Sequence, residues 1–296
     1  NDLEKAKPKA TTKINNLKYL STGAKSEFTA KVATSTTKDA VATIVSDANV
    51  ADAFVKTKED AKSTINGLKF LSNNVKSELK AKVEAAKTEA DIKSVVDYAT
   101  QANDDAKQLK DVQAESIEAI NGMAHLTQDQ KDAFISKINE SNLISEVKSI
   151  LADAVTENKL SEAKAKAVST INTLTNMSDS EKASFKDKVA AAKAKDGIDP
   201  IVSDAKTRDA LVGLQNDAIA KVKALTYISA DQKTDFVAQI KATTKASAIK
   251  PISDTAAKAE VVAKELREAK DAALESAKGY THVSDEIKTT ATTAIE

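Results

Sequence analysis

Few side chains in this sequence could do chemistry. Its only imidazoles are His125 and His282, which share one place in a recurring pattern; other copies put Tyr19, Phe70, Asn176 and Tyr227 there. A metal site or a general base needs partners at fixed spacing, such as a second His one helical turn away. Neither His has one, so both read as surface residues. Cysteine is absent, which excludes a disulfide framework, a thiolate metal site and a cysteine nucleophile. There is no Gly-rich phosphate loop, GxSxG, HExxH or EF-hand pattern. The expectation is therefore no catalytic, cofactor-binding or metal-binding residue, no cofactor, and no enzyme.

Three recurring features still ask for an explanation. Lys25, Lys76, Lys131, Lys182, Lys233 and Lys288 each stand four residues after a Ser or Thr. That places them in the first turn of a helix, where the dipole disfavours a cation. The expected compensation is a stem lying on the core edge and an amine meeting an acid such as Asp187 or Glu181. Gly67, Gly122 and Gly279 share a register inside helical pattern, at a cost of about 1 kcal/mol each against alanine, and suggest close helix approach. Asn103-Asp104-Asp105 is a dense polar cluster that reads as exposed surface.

The elements that would position these residues repeat. Ser21, Ser72, Thr127, Ser178, Ser229 and Ser284 anchor six copies, spaced 51, 55, 51, 51 and 55 residues apart. Seven, four and one residues before each anchor lies an apolar ladder, as in Ile171, Leu174 and Met177. Seven and eleven residues after it lies a second, as in Phe185 and Val189. A third runs through Ile198, Ile201 and Ala205. Steps of three and four place each ladder on one helical face. Each copy thus reads as three amphipathic helices. Capping boxes are expected at Thr127 with Gln130, Ser178 with Glu181 and Ser229 with Gln232. Pro8 is expected to start the first helix, and Pro200 and Pro251 to sit in the first turn of a third helix, with Asp199 as a cap.

The copies are expected at 1–55, 56–110, 111–161, 162–212 and 213–267, with a partial copy at 268–296. No Gly, Ser or Pro cluster separates them, as a flexible linker would show. The third helix of one copy is therefore expected to run into the first helix of the next. The extra four residues in two spacings are close to one helical turn, which suits insertion within a helix. The fold class expected is all-α: tandem three-helix bundles joined by shared long helices into an elongated, spectrin-like rod of about 130–170 Å.

Composition narrows the function classes. Lys and Arg number 44, as do Asp and Glu, so the basic excess of a nucleic-acid binder is missing. No apolar run is long enough to span a membrane. Aromatics make up 3% and tryptophan is absent, so each bundle has a thin aliphatic core, marginal alone and helped by stacking. The first residue is Asn and the sequence stops inside the second helix of the sixth copy, as a segment of a longer protein would.

The stretches AINGMAHLTQDQKDAFISKINESNLISEVKSILADA and TINGLKFLSNNVKSELKAKVEAAKTEADIKSVVDYA resemble the FIVAR and GA-module repeats of giant Gram-positive surface adhesins. The likeness covers nearly the whole chain. It rests on the I-x-x-L-x-x-L-[ST] joint, the K-x-x-F-x-x-x-[VI] second helix and the alanine-ended third helix. The resemblance implies a non-catalytic, extracellular, wall-attached rod that adheres to host matrix, with fibronectin and serum albumin among the targets. The function expected is a monomeric stalk or spacer with weak multivalent binding to such proteins. Two alternatives stand beside it: a dedicated albumin- or matrix-binding array, and an intracellular spectrin-like scaffold.

Overall fold

A computed structural model describes residues 2–296, and among them every regular element is helical. Helices α1 (Asp2–Asn15), α2 (Thr22–Thr34), α3 (Lys38–Gly67), α4 (Asn73–Ala85), α5 (Glu89–Asn121) and α6 (Gln128–Glu140) are followed by α7 (Ile144–Thr173), α8 (Asp179–Ala191), α9 (Ile198–Ala224), α10 (Ala230–Ala242), α11 (Ile249–Gly279) and α12 (Asp285–Ile295). Two compact units result: one takes the residues up to Met123 with Gln128–Ala154, the other Ala124–Thr127 with Val155–Glu296.

In the first unit, α3 serves two bundles. Its N-terminal half lays Val41 and Ala48 against Ala10, Ile14 and Val32 of α1 and α2. Its C-terminal half lays Ala61 and Ile65 against Leu79, Val83, Ile92 and Ala99 of α4 and α5. In the second unit α9 does the same. Ile198 and Ala205 join a core with Leu160, Ile171, Met177 and Val189, while Leu211, Ala218 and Val222 join one with Ile240, Ile249 and Ala256. The shared helices read from the missing linkers are thus continuous spirals.

The apolar registers are the interior. Ile14, Ile65, Ile120 and Ile171, seven residues before their anchors, are fully buried, as are Val83, Ile138, Val189 and Ile240, eleven residues after theirs. Each fully buried aliphatic of this kind stabilises by about 1.5–3 kcal/mol. Ala48, Ala99, Ala154, Ala205 and Ala256, at one register of the third helix, have no exposed surface at all. A methyl there lets the third helix approach closely.

The insertions lengthen helices. α11 has 31 residues where α9, starting and ending at the same registers, has 27. The second helices α2, α4, α6, α8 and α10 each have 13.

The joints are capped as their chemistry demands. Ser178 with Glu181 and Ser229 with Gln232 form capping boxes, and Thr88 with Asp91 forms a further one at the start of α5. Two expectations fail. Asp199 does not cap α9: a 3-10 turn at Lys195–Gly197 feeds straight into the helix, and the Ile198 N–H donates to the Lys195 carbonyl instead. Pro8 does not start α1 but lies inside it. The turn upstream of the proline persists because Leu3 and Ala6 pack on the first core, which offsets one lost backbone hydrogen bond.

Candidate functional site

The polar groups that recur with fixed geometry close the joints between helices. The first joint of each copy, between its first and second helices, leaves backbone N–H groups without helical partners. A side-chain oxygen from the third helix, 31 residues after the anchor, takes them. Asp52 Oδ1 accepts from the N–H of Tyr19 at 2.7 Å and of Leu20 at 2.8 Å. Asn103 Oδ1 accepts from Phe70 and Asn158 Oδ1 from His125, both at 2.9 Å. Asp209 Oδ1 accepts from Asn176 at 2.8 Å and Met177 at 2.9 Å, while its Oδ2 takes the Asn176 side-chain amide. Glu260 spans the N–H groups of Thr226, Tyr227 and Ile228. Five copies therefore use Asp, Asn, Asn, Asp and Glu for one task.

The second joint has the opposite need, because the C-terminus of the second helix presents carbonyls without partners. A donor on the first helix, 14 residues before the anchor, supplies the bond. Lys7 donates to the Ala33 carbonyl, Lys58 to Glu84, Lys164 to Ala190 and Lys270 to Glu296. Gln113 reaches the Ile138 and Ser141 carbonyls, and Gln215 those of Ile240, Lys241 and Thr243. A cation at this end also suits the helix dipole.

The electrostatics follow from these contacts. Burial works against the charge of Asp209, but the Met177 N–H, the Asn176 side chain and N–H, and Lys182 outweigh it and hold the carboxyl below its ordinary range. Burial likewise opposes the Glu260 charge, and the N–H groups of Thr226, Ile228 and Tyr227 with Lys233 hold it low. Glu181 is lowered chiefly by the Ser178 N–H and then by Arg208, whose Nε lies 2.8 Å from Glu181 Oε1.

The residues singled out from sequence fall into place around these joints. Lys288 meets an acid as expected, lying 3.9 Å from Asp285, but Lys76 and Lys131 instead donate to the Asn66 and Asn121 carbonyls at the ends of α3 and α5. A lysine in the first turn of one helix thereby serves the last turn of the helix before it. Gly67 and Gly279 face open space, and a Cβ on Gly122 would meet only carbonyls of its own helix; these glycines mark helix ends. The glycine at a close approach is Gly213, where a Cβ would lie 3.0 Å from Asn176 Nδ2. Asn103, read as plain surface, holds a joint, and the exposed His125 contributes its backbone N–H to one. Sequence reasoning missed these clasps because each copy shows a single polar residue of changing type. Alignment on the anchors would reveal an acceptor at one register and a donor at another.

The second unit also has an open groove between α9 and α11, of about 470 Å³, lined by Leu214, Val222, Leu225, Ile249 and Ala257 with Lys221 and Asp254 at its rim. Asp217, Lys250 and Ser253 also line it, and the Ser253 hydroxyl donates to the Ile249 carbonyl of its own helix.

The family model for the GA module matches residues 1–53, 55–105, 106–156, 157–210 and 214–259. Its internal boundaries fall within α3, α5, α7 and α9, the long helices. No curated protein matches the chain. Among solved structures, the 756–1003 domain of EbhA from Staphylococcus aureus is similar at 16% identity and a TM-score of 0.33, covering 69% of this chain and 97% of that one.

Proposed function

Because this chain belongs to the GA-module family, we propose that it is a non-catalytic segment of a bacterial cell-surface adhesin, exposed outside a Gram-positive wall. It acts as a stiff spacer that also binds host matrix or plasma proteins weakly through many copies. One observation carries this reading: the five copies share interior registers and joint clasps while their outward side chains differ. Repetition of that kind preserves mechanics rather than a single binding face. Fibronectin and serum albumin are the partners proposed, and the segment works as a monomer. No helix among the described residues is long and apolar enough to cross a membrane.

The test is binding by the whole chain and by one excised bundle to immobilised albumin and fibronectin. Multivalency raises weak affinities by about 10²–10⁴ where geometry permits simultaneous contacts. The whole chain is expected to be retained and the single bundle to wash off. Equal retention of both would favour a dedicated binding module, and retention of neither would leave the spacer role alone.

A further inference from the structure

Gly67 and Gly122 stand where neither packing nor backbone geometry asks for glycine. No glycine among the described residues has a positive φ, so the left-handed cap that favours glycine at helix ends is not the reason for them. A Cβ on Gly67 would meet nothing within 4 Å, and one on Gly122 would lie 3.5 Å from the Ala119 carbonyl oxygen, an ordinary contact. What the two share is the residue before them. Asn66 and Asn121 sit six residues before their anchors, in the last turns of α3 and α5, and both are exposed together with their glycines. These turns are held by few bonds. The Gly122 N–H donates to the Glu118 carbonyl at 3.1 Å. Lys131 reaches the Asn121 carbonyl at 2.9 Å and Lys76 the Asn66 carbonyl at 3.2 Å. Helix ends fray and open more readily than helix interiors.

We propose that Asn66 and Asn121 are sites of spontaneous deamidation in the folded protein, each converting to an aspartyl or isoaspartyl residue. When the last turn opens, the glycine nitrogen gives its proton to hydroxide and attacks the asparagine Cγ. The N–Cγ bond forms and the Cγ–Nδ2 bond breaks. Nδ2 takes a proton from water and leaves as ammonia. Water then opens the cyclic imide at one carbonyl or the other, giving aspartate or its β-linked isomer. Nothing is oxidised or reduced, and water is the only co-reactant. Glycine matters because it has no Cβ to obstruct the approach of its nitrogen. The other copies form a graded series at the same two registers: Asn15-Asn16, Asn172-Thr173, Lys223-Ala224 and Lys278-Gly279. The first two keep the amide but crowd the nitrogen with a side chain, and the last two have no amide to lose.

The product alters the joint. Each event adds one negative charge to a chain whose formal net charge is zero. It places that charge at a helix C-terminus, where the dipole opposes it. The β-linked form also inserts a methylene into the backbone, which at Asn121 shifts the buried Met123 out of register. Two consecutive bundles thus carry a chemical timer in their first joints.

The test incubates the whole native protein at mildly alkaline pH and digests samples at intervals. Mass spectrometry reads the exchange of amide for acid at each asparagine, and enzymatic methylation reads the β-linked product. Conversion is expected to be several-fold faster at Asn66 and Asn121 than at Asn15 and Asn172. Gly67→Ala and Gly122→Ala, whose Cβ atoms have room, should leave the circular dichroism unchanged and slow conversion several-fold, each at its own site alone. Lys131→Met, which releases the last turn of α5, should raise conversion at Asn121 and amide exchange at Gly122 together. The proposal is overturned if both asparagines stay intact in the native chain while free peptides of the same sequence convert. It is also overturned if they convert no faster than Asn172, if the alanine variants convert at the natural rate, or if Lys131→Met speeds exchange at Gly122 without speeding conversion.

Discussion

The Asp209 carboxylate on α9 accepts the Met177 N–H at 2.9 Å, tying the turn before α8 to the third helix of the same bundle. Asp209 and Met177 are both buried, so removing the acceptor strands a donor away from water. Asp209→Ala is expected to lower the opening free energy of this bundle by about 1–3 kcal/mol. Asp209→Asn, which keeps one acceptor as Asn103 and Asn158 do, should cost less. Native-state hydrogen exchange in the whole chain reads the two variants bundle by bundle. Equal, negligible losses would show that the clasp is incidental.

Acid should separate the copies. Asp209, Glu260 and Glu181 have carboxyls held below their ordinary range. A folded-state pKa below the unfolded one gives stability that is full above the unfolded value and is lost as pH falls through the folded one. The window therefore opens near pH ~4, the ordinary carboxylate value, and extends downward. Asn103 and Asn158 do not titrate. Exchange corrected for its intrinsic pH dependence should show the bundles clasped by Asp209 and Glu260 losing more protection between about pH 5 and pH 3 than the bundle clasped by Asn158, the Asn103 bundle falling between them because it holds the lowered Asp91 and Glu84 carboxyls. Uniform loss across all of them would contradict the assignment.

Gly213 and Asn176 are coupled through space. A Cβ on Gly213 would lie 3.0 Å from the Asn176 amide that donates to Asp209 Oδ2. Alanine in a helix is favoured over glycine by about 1 kcal/mol, but here it displaces that amide. Gly213→Ala should therefore gain little in the natural sequence and close to its full value beside Asn176→Ala. A double-mutant cycle on chemical denaturation should return a coupling of about 0.5–1.5 kcal/mol. Additive effects would mean that the amide moves aside freely.

The buried alanines set the helix spacing. Ala205 has no exposed surface and packs in the same core as Ile171 and Val189. Ala205→Leu forces three more carbon atoms into a filled space and is expected to cost about 1–3 kcal/mol, while Ile171→Ala, which leaves a cavity, should cost about 2–5 kcal/mol. Thermal melting of each variant checks both. An unchanged melting profile for Ala205→Leu would show slack at this contact.

The helices and their interior were legible because apolar spacing is a collective signal. Ile14, Ile65, Ile120 and Ile171 repeat it, and no single substitution hides it. The four-residue insertions were legible for the same reason, since phase is kept only if a helix grows. The clasps were not, because Asp52, Asn103 and Glu260 look like any polar residue on a solvated face. Their partners are backbone N–H groups, which leave no mark in sequence. Pro8 and Asp199 misled because a proline and an Asp before a proline are strong local signals. At Pro8, packing of Leu3 and Ala6 prevailed, and at Asp199 a 3-10 turn took over the capping role.

If unbroken helices and clasped joints give this segment the proposed spacer role, small-angle X-ray scattering on the whole chain will register its reach. A maximum dimension of about 130–170 Å is the result expected of that proposal, from the 1.5 Å rise of helices running on between bundles. A radius of gyration near ~19 Å, that of a compact globule of this length, would contradict it.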